Sequence, residues 1–545
     1  MAETQSVAVA TPSAVHAKLN KSPGAIGMIL FAIVLIGGFA YAGFNLESDL
    51  SGGGHFETIW PYVLLGVALL TALGFEFVNG FHDTANAVAT VIYTHSMEPH
   101  IAVVWSGMWN LIGVLMSSGG VAFAIISLLP VELILQVGHG AGFAMVFALL
   151  IAAILWNLGT WWLGLPASSS HTLIGSIIGV GLANQLMSPK GSGTSGVDWA
   201  QAGGVFRALI LSPIIGFVGA ALLLLLAKAL LRNPNLFKAP EGKAPPPGWI
   251  RALLVLTCTG VSFAHGSNDG QKGMGLIVLI LVGIVPAGYA LNLGTSAATL
   301  DQLRSGGAAF ERSLEQAGIK ASTQTDTAAN QTLTTYLRKA TVTPETLPAL
   351  QTANHRVVAS LGKVSDLNAI PGAERRNLRL NLYLVSETLA RMIKANTLPA
   401  GLNAVAVGAY QKNLKGVTTF IPVWVKVSVA LALGFGTMIG WKRIVVTVGE
   451  KIGKAHLTYG QGAAAEIVAF GTIEAADLLG LPVSTTHILS SGIAGTMVAN
   501  HSGIQGPTVR NILLAWVLTL PVCVILGATL FAAGLLFVFN VLGIH

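Results

Sequence analysis

The sequence predicts a polytopic, all-α membrane protein made of two related halves. Hydrophobic residues fill 53% of the 545 positions and charged residues only 10%, where an ordinary soluble chain carries roughly 25% charge; mean hydropathy is +0.69. Ile101 to Val131, Gly142 to Gly164, Ala208 to Ala227 and Gly273 to Leu300 are free of charge, and each is long enough for a spanning helix of about 20 residues. None shows the strict alternation of a β-barrel strand. Polar, Gly/Pro-broken patches recur at corresponding places in the two halves. Gly164-Leu165-Pro166-Ala167-Ser168-Ser169-Ser170-His171 returns as Gly480-Leu481-Pro482-Val483-Ser484-Thr485-Thr486-His487, and Phe77-Val78-Asn79-Gly80-Phe81-His82-Asp83 is answered by Phe263-Ala264-His265-Gly266-Ser267-Asn268-Asp269. Paired interruptions of this kind mark a binding site between inverted-topology repeats with broken helices. About 10–12 membrane segments are expected, some of them re-entrant hairpins that do not fully cross.

Residues 1–24 are polar and read as a disordered tail. Lys18 and Lys21 precede an apolar run from Ile26 to Phe44, longer than the core of a signal peptide, so 25–46 reads as an extra retained transmembrane helix. Glu47 to Glu57, with its glycine run, reads as an external loop. The first repeat occupies 58–232. Lys228, Arg232, Lys238, Pro240 and Lys243 to Pro247 then mark a basic, Pro-rich linker at 233–249, cytoplasmic by the positive-inside tendency. The second repeat begins over 250–291, is interrupted by a soluble insert at 292–419, and resumes over 420–545. The insert explains a difference in spacing: Asp83 to Pro166 is 83 positions, Asp269 to Pro482 is 213. Leu378, Leu382 and Leu389 stand at near-helical spacing within it. Lys442, Arg443, Lys451 and Lys454 read as cytoplasmic, and the single span Ile421 to Gly440 places the insert on the opposite, outer side.

The net charge of +7 sits beside apolar spans and reads as topology, with the lipid bilayer as partner and no nucleic acid. Cys258 and Cys523 lie in apolar runs and read as packing residues.

Asn79, Asp83 and Asn86 fall on one helical face. A shift of 186 positions maps them onto His265, Asp269 and Lys272. A carboxylate inside a membrane is costly and marks an ion or proton path. Two of them in matching halves could hold cations through hard oxygen ligands, helped by Asn86 and Asn268. Lys272 adds a fixed positive charge suited to an anion, and Gln271 adds an amide. The competing reading has both aspartates solvated at an interface and Lys272 snorkelling from a helix end; the matched three-residue pattern favours a functional one. No resident metal is indicated.

The second patch has its own logic. Proline ends one helix and suits the opening of the next, and Ser or Thr caps that opening. Free N–H groups and the positive end of the dipole then make an anion seat. Ser168, Ser169 and Ser170 on one side and Ser484, Thr485 and Thr486 on the other could grip a tetrahedral oxyanion. Hydroxyls in membrane helices often just bond to their own backbone, but the shared Gly-Leu-Pro-x-Ser-x-x-His frame favours the anion. His171 and His487 read as orienting the hairpin. Glu466, Glu474 and Asp477 align with Leu150, Leu158 and Trp161 and read as facing water, with a place on a proton route as the alternative.

At these residues the chain resembles the inorganic phosphate transporter (PiT) family, in its bacterial low-affinity branch. The strings Asn79-Gly80-Phe81-His82-Asp83-Thr84-Ala85-Asn86-Ala87 and His265-Gly266-Ser267-Asn268-Asp269-Gly270-Gln271-Lys272-Gly273 carry the likeness with the two hydroxyl patches, over about 75–530 apart from the insert. The resemblance implies a symporter of the bacterial inner membrane that takes up inorganic phosphate. Ser168, Ser169, Ser170, Ser484, Thr485 and Thr486 would line its phosphate site, with Gln271 nearby. Asp83, Asn86, Asn268 and Asp269 would serve cation coupling. It leaves H⁺ and Na⁺ both open, with Mg²⁺ or another divalent ion carried as a neutral metal–phosphate complex, and it leaves open a homo-oligomer.

No Gly-rich Lys-Ser/Thr loop appears, so a gradient must supply the energy. Sulfate transport on the same scaffold is the sister reading; phosphate can donate hydrogen bonds to Asp83 and Asp269 and sulfate cannot. The rival from another class is a membrane lipid-pyrophosphate phosphatase. Such an enzyme needs an arginine beside its hydroxyls, and none lies near either patch in the sequence.

Overall fold

The computed structural model describes residues 19, 25–51, 59–129, 140–188, 196–231, 233–240, 244–320, 325–362 and 364–540. Apart from Leu19, the expected tail at 1–24 lies outside them. Among them the secondary structure is helical: α1 (Ala25–Ser51), α2 (Trp60–Tyr93), α3 (Pro99–Met116), α4 (Gly120–Ile126), α5 (Gly140–Trp162), α6 (Ser169–Met187), α7 (Trp199–Leu230), α8 (Gly248–Ile284), α9 (Pro286–Tyr289), α10 (Ala297–Gln316), α11 (Asp326–Lys339), α12 (Thr346–Leu361), α13 (Gly372–Lys394), α14 (Ala404–Thr418), α15 (Val423–Met438), α16 (Lys442–Glu450), α17 (Tyr459–Leu478), α18 (Thr485–Ala499) and α19 (Gly506–Asn540).

Seven of these, α1, α2, α3, α5, α7, α8 and α19, are long and apolar enough to cross a membrane, and α14 with α15, meeting at 71°, makes an eighth if taken as one bent span. The expectation of about 10–12 segments included partial ones; α6, α17 and α18, with 19, 20 and 15 residues, are of that shorter, more polar kind. Helix α1 runs on to Ser51, so the start of the expected external loop is helical. Its apolar side chains, such as Ile33, Ile36 and Phe44, are exposed, as lipid-facing residues are.

The first polar patches do not break their helices, contrary to expectation. Helix α2 carries Asn79 to Asp83 through 34 continuous residues, and α8 carries His265 to Lys272 through 37. The interruptions fall at the second patches, between α5 and α6 and between α17 and α18. Each turn is made by a glycine with positive φ, Gly164 at 68° and Gly480 at 64°, a conformation that only glycine adopts without strain.

Helix pairing is reciprocal between the halves. α3 packs on α8 while α15 packs on α2; α6 packs on α19 while α18 packs on α7. Glycines allow the closest of these contacts. A Cβ on Gly80 would come within 2.2 Å of the Leu433 carbonyl of α15, and one on Gly266 within 2.1 Å of the Asn110 carbonyl of α3. Small residues at such crossings replace the hydrophobic drive that lipid cannot supply.

Helices α10 to α14 build around a separate apolar cluster that includes Leu303, Phe310, Leu350, Leu382 and Leu414. This is the expected insert. Its two ends meet: Asn292 N–H donates to the Val417 carbonyl at 2.8 Å, and Arg379 donates to the Ala290 and Thr418 carbonyls at 2.8 and 2.9 Å. Arg391 also bridges to Asp198, before α7, at 2.6 Å.

Gly80→Ala and Gly266→Ala are each expected to destabilise by about 1–3 kcal/mol through overpacking, read as a lower melting temperature of purified protein. Gly159→Ala, with nothing near its added Cβ, is expected to melt like the parent.

Candidate functional site

Three apolar-core elements meet where α2, α8 and the start of α6 converge. Asp83 comes from α2 and Asp269 from α8; they are 2% and 0% exposed. The Ser169 hydroxyl lies 3.0 Å from Asp83 Oδ2 and 3.3 Å from Asp269 Oδ2. The Thr486 hydroxyl, from the start of α18, donates to Asp83 Oδ1. Hydroxyls of both second patches therefore reach the same carboxylate. Lys272 Nζ stands 2.6 Å from Asp269 Oδ2 and 3.5 Å from Ser169 Oγ, fully buried. The reading of Lys272 as a snorkelling residue is excluded by that burial.

Two histidines flank the carboxylates. His265 Nε2 is 3.6 Å from Asp269 Oδ2 and 3.9 Å from Asp83 Oδ2, while its Nδ1 bonds Asn110 Oδ1 at 2.8 Å. His82 Nδ1 lies 3.4 Å from Asp83 Oδ1 and its Nε2 bonds Thr160 at 3.1 Å. One ligand atom each from Asp83, His265 and Asp269 fits within 4.8 Å, a carboxylate-rich set of the kind that suits a hard cation.

The remaining hydroxyls of the second patches divide their work. Ser168 and Ser484 are N-caps: each accepts the backbone N–H of the histidine three residues on, at 3.2 and 3.1 Å. Ser170 donates to the Val483 carbonyl at 2.6 Å and so ties one patch to the other. His171 and His487 lie ring to ring at 4.6 Å, and His487 stacks on Trp516 at 4.0 Å. Thr485 Oγ1 is buried and has no hydrogen-bond partner among the described residues.

Gln271 and Asn268 are held by backbone and by α17. Gln271 Nε2 donates to Asp477 Oδ1 at 2.5 Å and the Ser267 carbonyl at 2.8 Å, and its Oε1 accepts from Val121 N at 2.9 Å. Asn268 donates to the Leu481 carbonyl at 3.2 Å. Asn86 sits in α2, but its side chain lies outside the described residues.

Two acids differ from their reading in the sequence. Glu466 does not face water; it is fully buried on α17 and accepts from the Thr90 and Thr257 hydroxyls. Asp477 is half-buried and accepts from Ser267 at 2.9 Å as well as from Gln271. Glu76 is a further buried acid that the motifs did not single out. Its Oε1 accepts from the Gly273 N–H at 2.6 Å and its Oε2 from Asn79 at 3.2 Å. The available signal was its place seven residues before Asp83 on the same helical face.

A family model described as the phosphate transporter family matches residues 79–527. The chain is 42% identical to the low-affinity inorganic phosphate transporter PitB of Escherichia coli K12 over 87% of its length and 97% of that protein. It is 41% identical to PitA of the same strain with the same coverage. A solved structure called the sodium-dependent phosphate transporter aligns with 86% of this chain and 98% of that one, at 17% identity and a TM-score of 0.47.

Replacing either cap, Ser168→Ala or Ser484→Ala, is expected to cost about 1 kcal/mol of stability. Melting temperature measures this, and the Thr variants are expected to retain most of it.

Proposed function

Because the chain belongs to the phosphate transporter family, we propose that it carries inorganic phosphate across the bacterial inner membrane by symport, driven by a cation gradient that the two buried aspartates couple to the anion. It is a transporter and not an enzyme, which sets the phosphatase reading aside. The observation that carries the proposal is the Ser169 hydroxyl between Asp83 and Asp269. It stands in the first turn of α6, where free N–H groups and the dipole favour an anion. The substrate and the coupling ion would then share one hydroxyl.

In this reading Ser169 and Thr485 are the anion's first donors, Ser170 and Thr486 join them by giving up their bonds to Val483 and Asp83, and Ser168 and Ser484 hold the two helix starts in place. Asp83 and Asp269 bind the coupling cation, and Asn86 and Asn268 serve the same coupling role. A phosphate that keeps a proton can donate to a carboxylate, which sulfate cannot do; the two acids therefore favour phosphate. A cation beside the anion also removes net charge from the cargo, which lowers the cost of moving it through a low-dielectric core. A divalent metal–phosphate complex would serve the same end. The reciprocal pairing of α3 with α8 and α15 with α2 supports alternating access by rocking of two inverted halves.

Uptake of labelled phosphate into proteoliposomes, with separate pH and Na⁺ gradients and with or without Mg²⁺, tests the reading. Accumulation under one imposed gradient is the expected result; no accumulation under any would overturn it. Asp83→Asn is expected to abolish uptake while the protein still inserts, and wild-type uptake in that variant would remove the coupling role. Ser169→Ala and Thr485→Ala are expected to raise KM for phosphate on the order of tenfold, the loss of one hydrogen bond to a charged group, with a smaller change in maximal rate.

A further inference from the structure

The duplicated pattern is broken at one functional position. The 186-residue shift that superimposes Asp83 on Asp269 puts Lys272 where the first half has Asn86. An amide is a neutral oxygen ligand for a cation; an ammonium is itself the cation. Lys272 is 0% exposed, and its Nζ lies 2.6 Å from Asp269 Oδ2 and 3.5 Å from Ser169 Oγ. A carboxylate oxygen and a hydroxyl are the hard oxygens that a small cation takes, and on the Asp269 side the ammonium stands against both.

The other side differs. Thr485 is the counterpart of Ser169 under the 316-residue shift that relates the second patches. Ser169 contacts Asp83, Asp269 and Lys272. Thr485 is 2% exposed, and its hydroxyl has no partner among the described residues. Its neighbour Thr486 donates to Asp83. One half of the duplicated site thus carries an ammonium on the chain; in the other, the Thr486 hydroxyl and the imidazoles of His82 and His265 face Asp83, with an asparagine in the lysine's place.

We propose that the Lys272 ammonium is a tethered cation that fills the Asp269 seat of a two-seat site, leaving Asp83 with Thr486 as the seat for the exchangeable coupling ion. The proposal rests on the reading of the chain as a cation-coupled symporter. The protein then moves one free cation fewer per phosphate than its duplicated sequence has seats for. Lysine suits this role because its compact ammonium has three donors, one for Asp269, one toward Ser169 and one left for the anion. A buried charge that loses its partner is strongly destabilising, so removing Lys272 creates a demand for a replacement ion at Asp269.

Lys272→Asn restores the residue of the first half and tests this directly. Purified variant and parent are compared in proteoliposomes by the membrane potential that just stops net phosphate flux, in NaCl, LiCl and choline chloride. The variant is expected to move one more positive charge per phosphate than the parent and to show a steeper dependence on the small cation. Retained uptake with an unchanged charge count overturns the proposal. Melting temperature in the same salts gives a second readout that needs no transport. The variant is expected to be destabilised in choline and rescued by Na⁺ or Li⁺ more than the parent is; a variant rescued by neither ion overturns the proposal as well. A parent that accumulates no phosphate under any gradient defeats the symport reading instead, so the two failures are distinguishable.

Discussion

One hydroxyl stands between two acids. Asp83 and Asp269 come from different halves of the chain, and oxygens of both lie within hydrogen-bonding range of Ser169. Their ligand atoms fit within 4.8 Å, where two unit negative charges repel by about 3 kcal/mol at an effective dielectric near 20. Both acids are buried, 2% and 0% exposed, so the fold brings positive charge and donors to that spot. Lys272, His265 and Thr486 supply them. Take away the convergence of α2, α8 and α6 and none of these groups has a reason to be buried.

That convergence depends on backbone contacts that side chains would prevent. Gly80 lets α2 touch α15, and Gly266 lets α8 touch α3. The two long helices can stay unbroken because their polar residues find partners across these contacts, as His265 does on Asn110. The helices that do start in the core carry a proline, a positive-φ glycine and an N-cap serine in sequence, the three devices needed to turn a chain and satisfy its first N–H groups. The turn and the start of each helix are therefore one structure.

Much of this was legible in the residues. Charge-free runs gave the class, the repeated patches gave the two halves, and the spacing of Asp83 and Asp269 gave a shared site. The unbroken course of α2 and α8 was not legible, because polarity inside an apolar run looks the same whether the helix breaks or its side chains are paired. Glu466 was read as facing water because the first half has a leucine there; its partners Thr90 and Thr257 lie 376 and 209 positions away, beyond any local pattern. Glu76 escaped notice because its acceptor role is filled by a backbone N–H on another helix, which no motif records. Gln271 was read as an amide near the anion; the fold commits that amide to Asp477 and Val121, partners that lie on other elements.

The neck of the insert has a consequence for how the chain can be altered. Asn292 and Val417 are hydrogen-bonded neighbours, and Arg379 fastens both crossings from above. To the bundle, a detour of more than a hundred residues is equivalent to a tight turn. Any folded module whose own termini lie side by side would satisfy the same boundary condition, which makes this neck a natural graft point for a reporter domain.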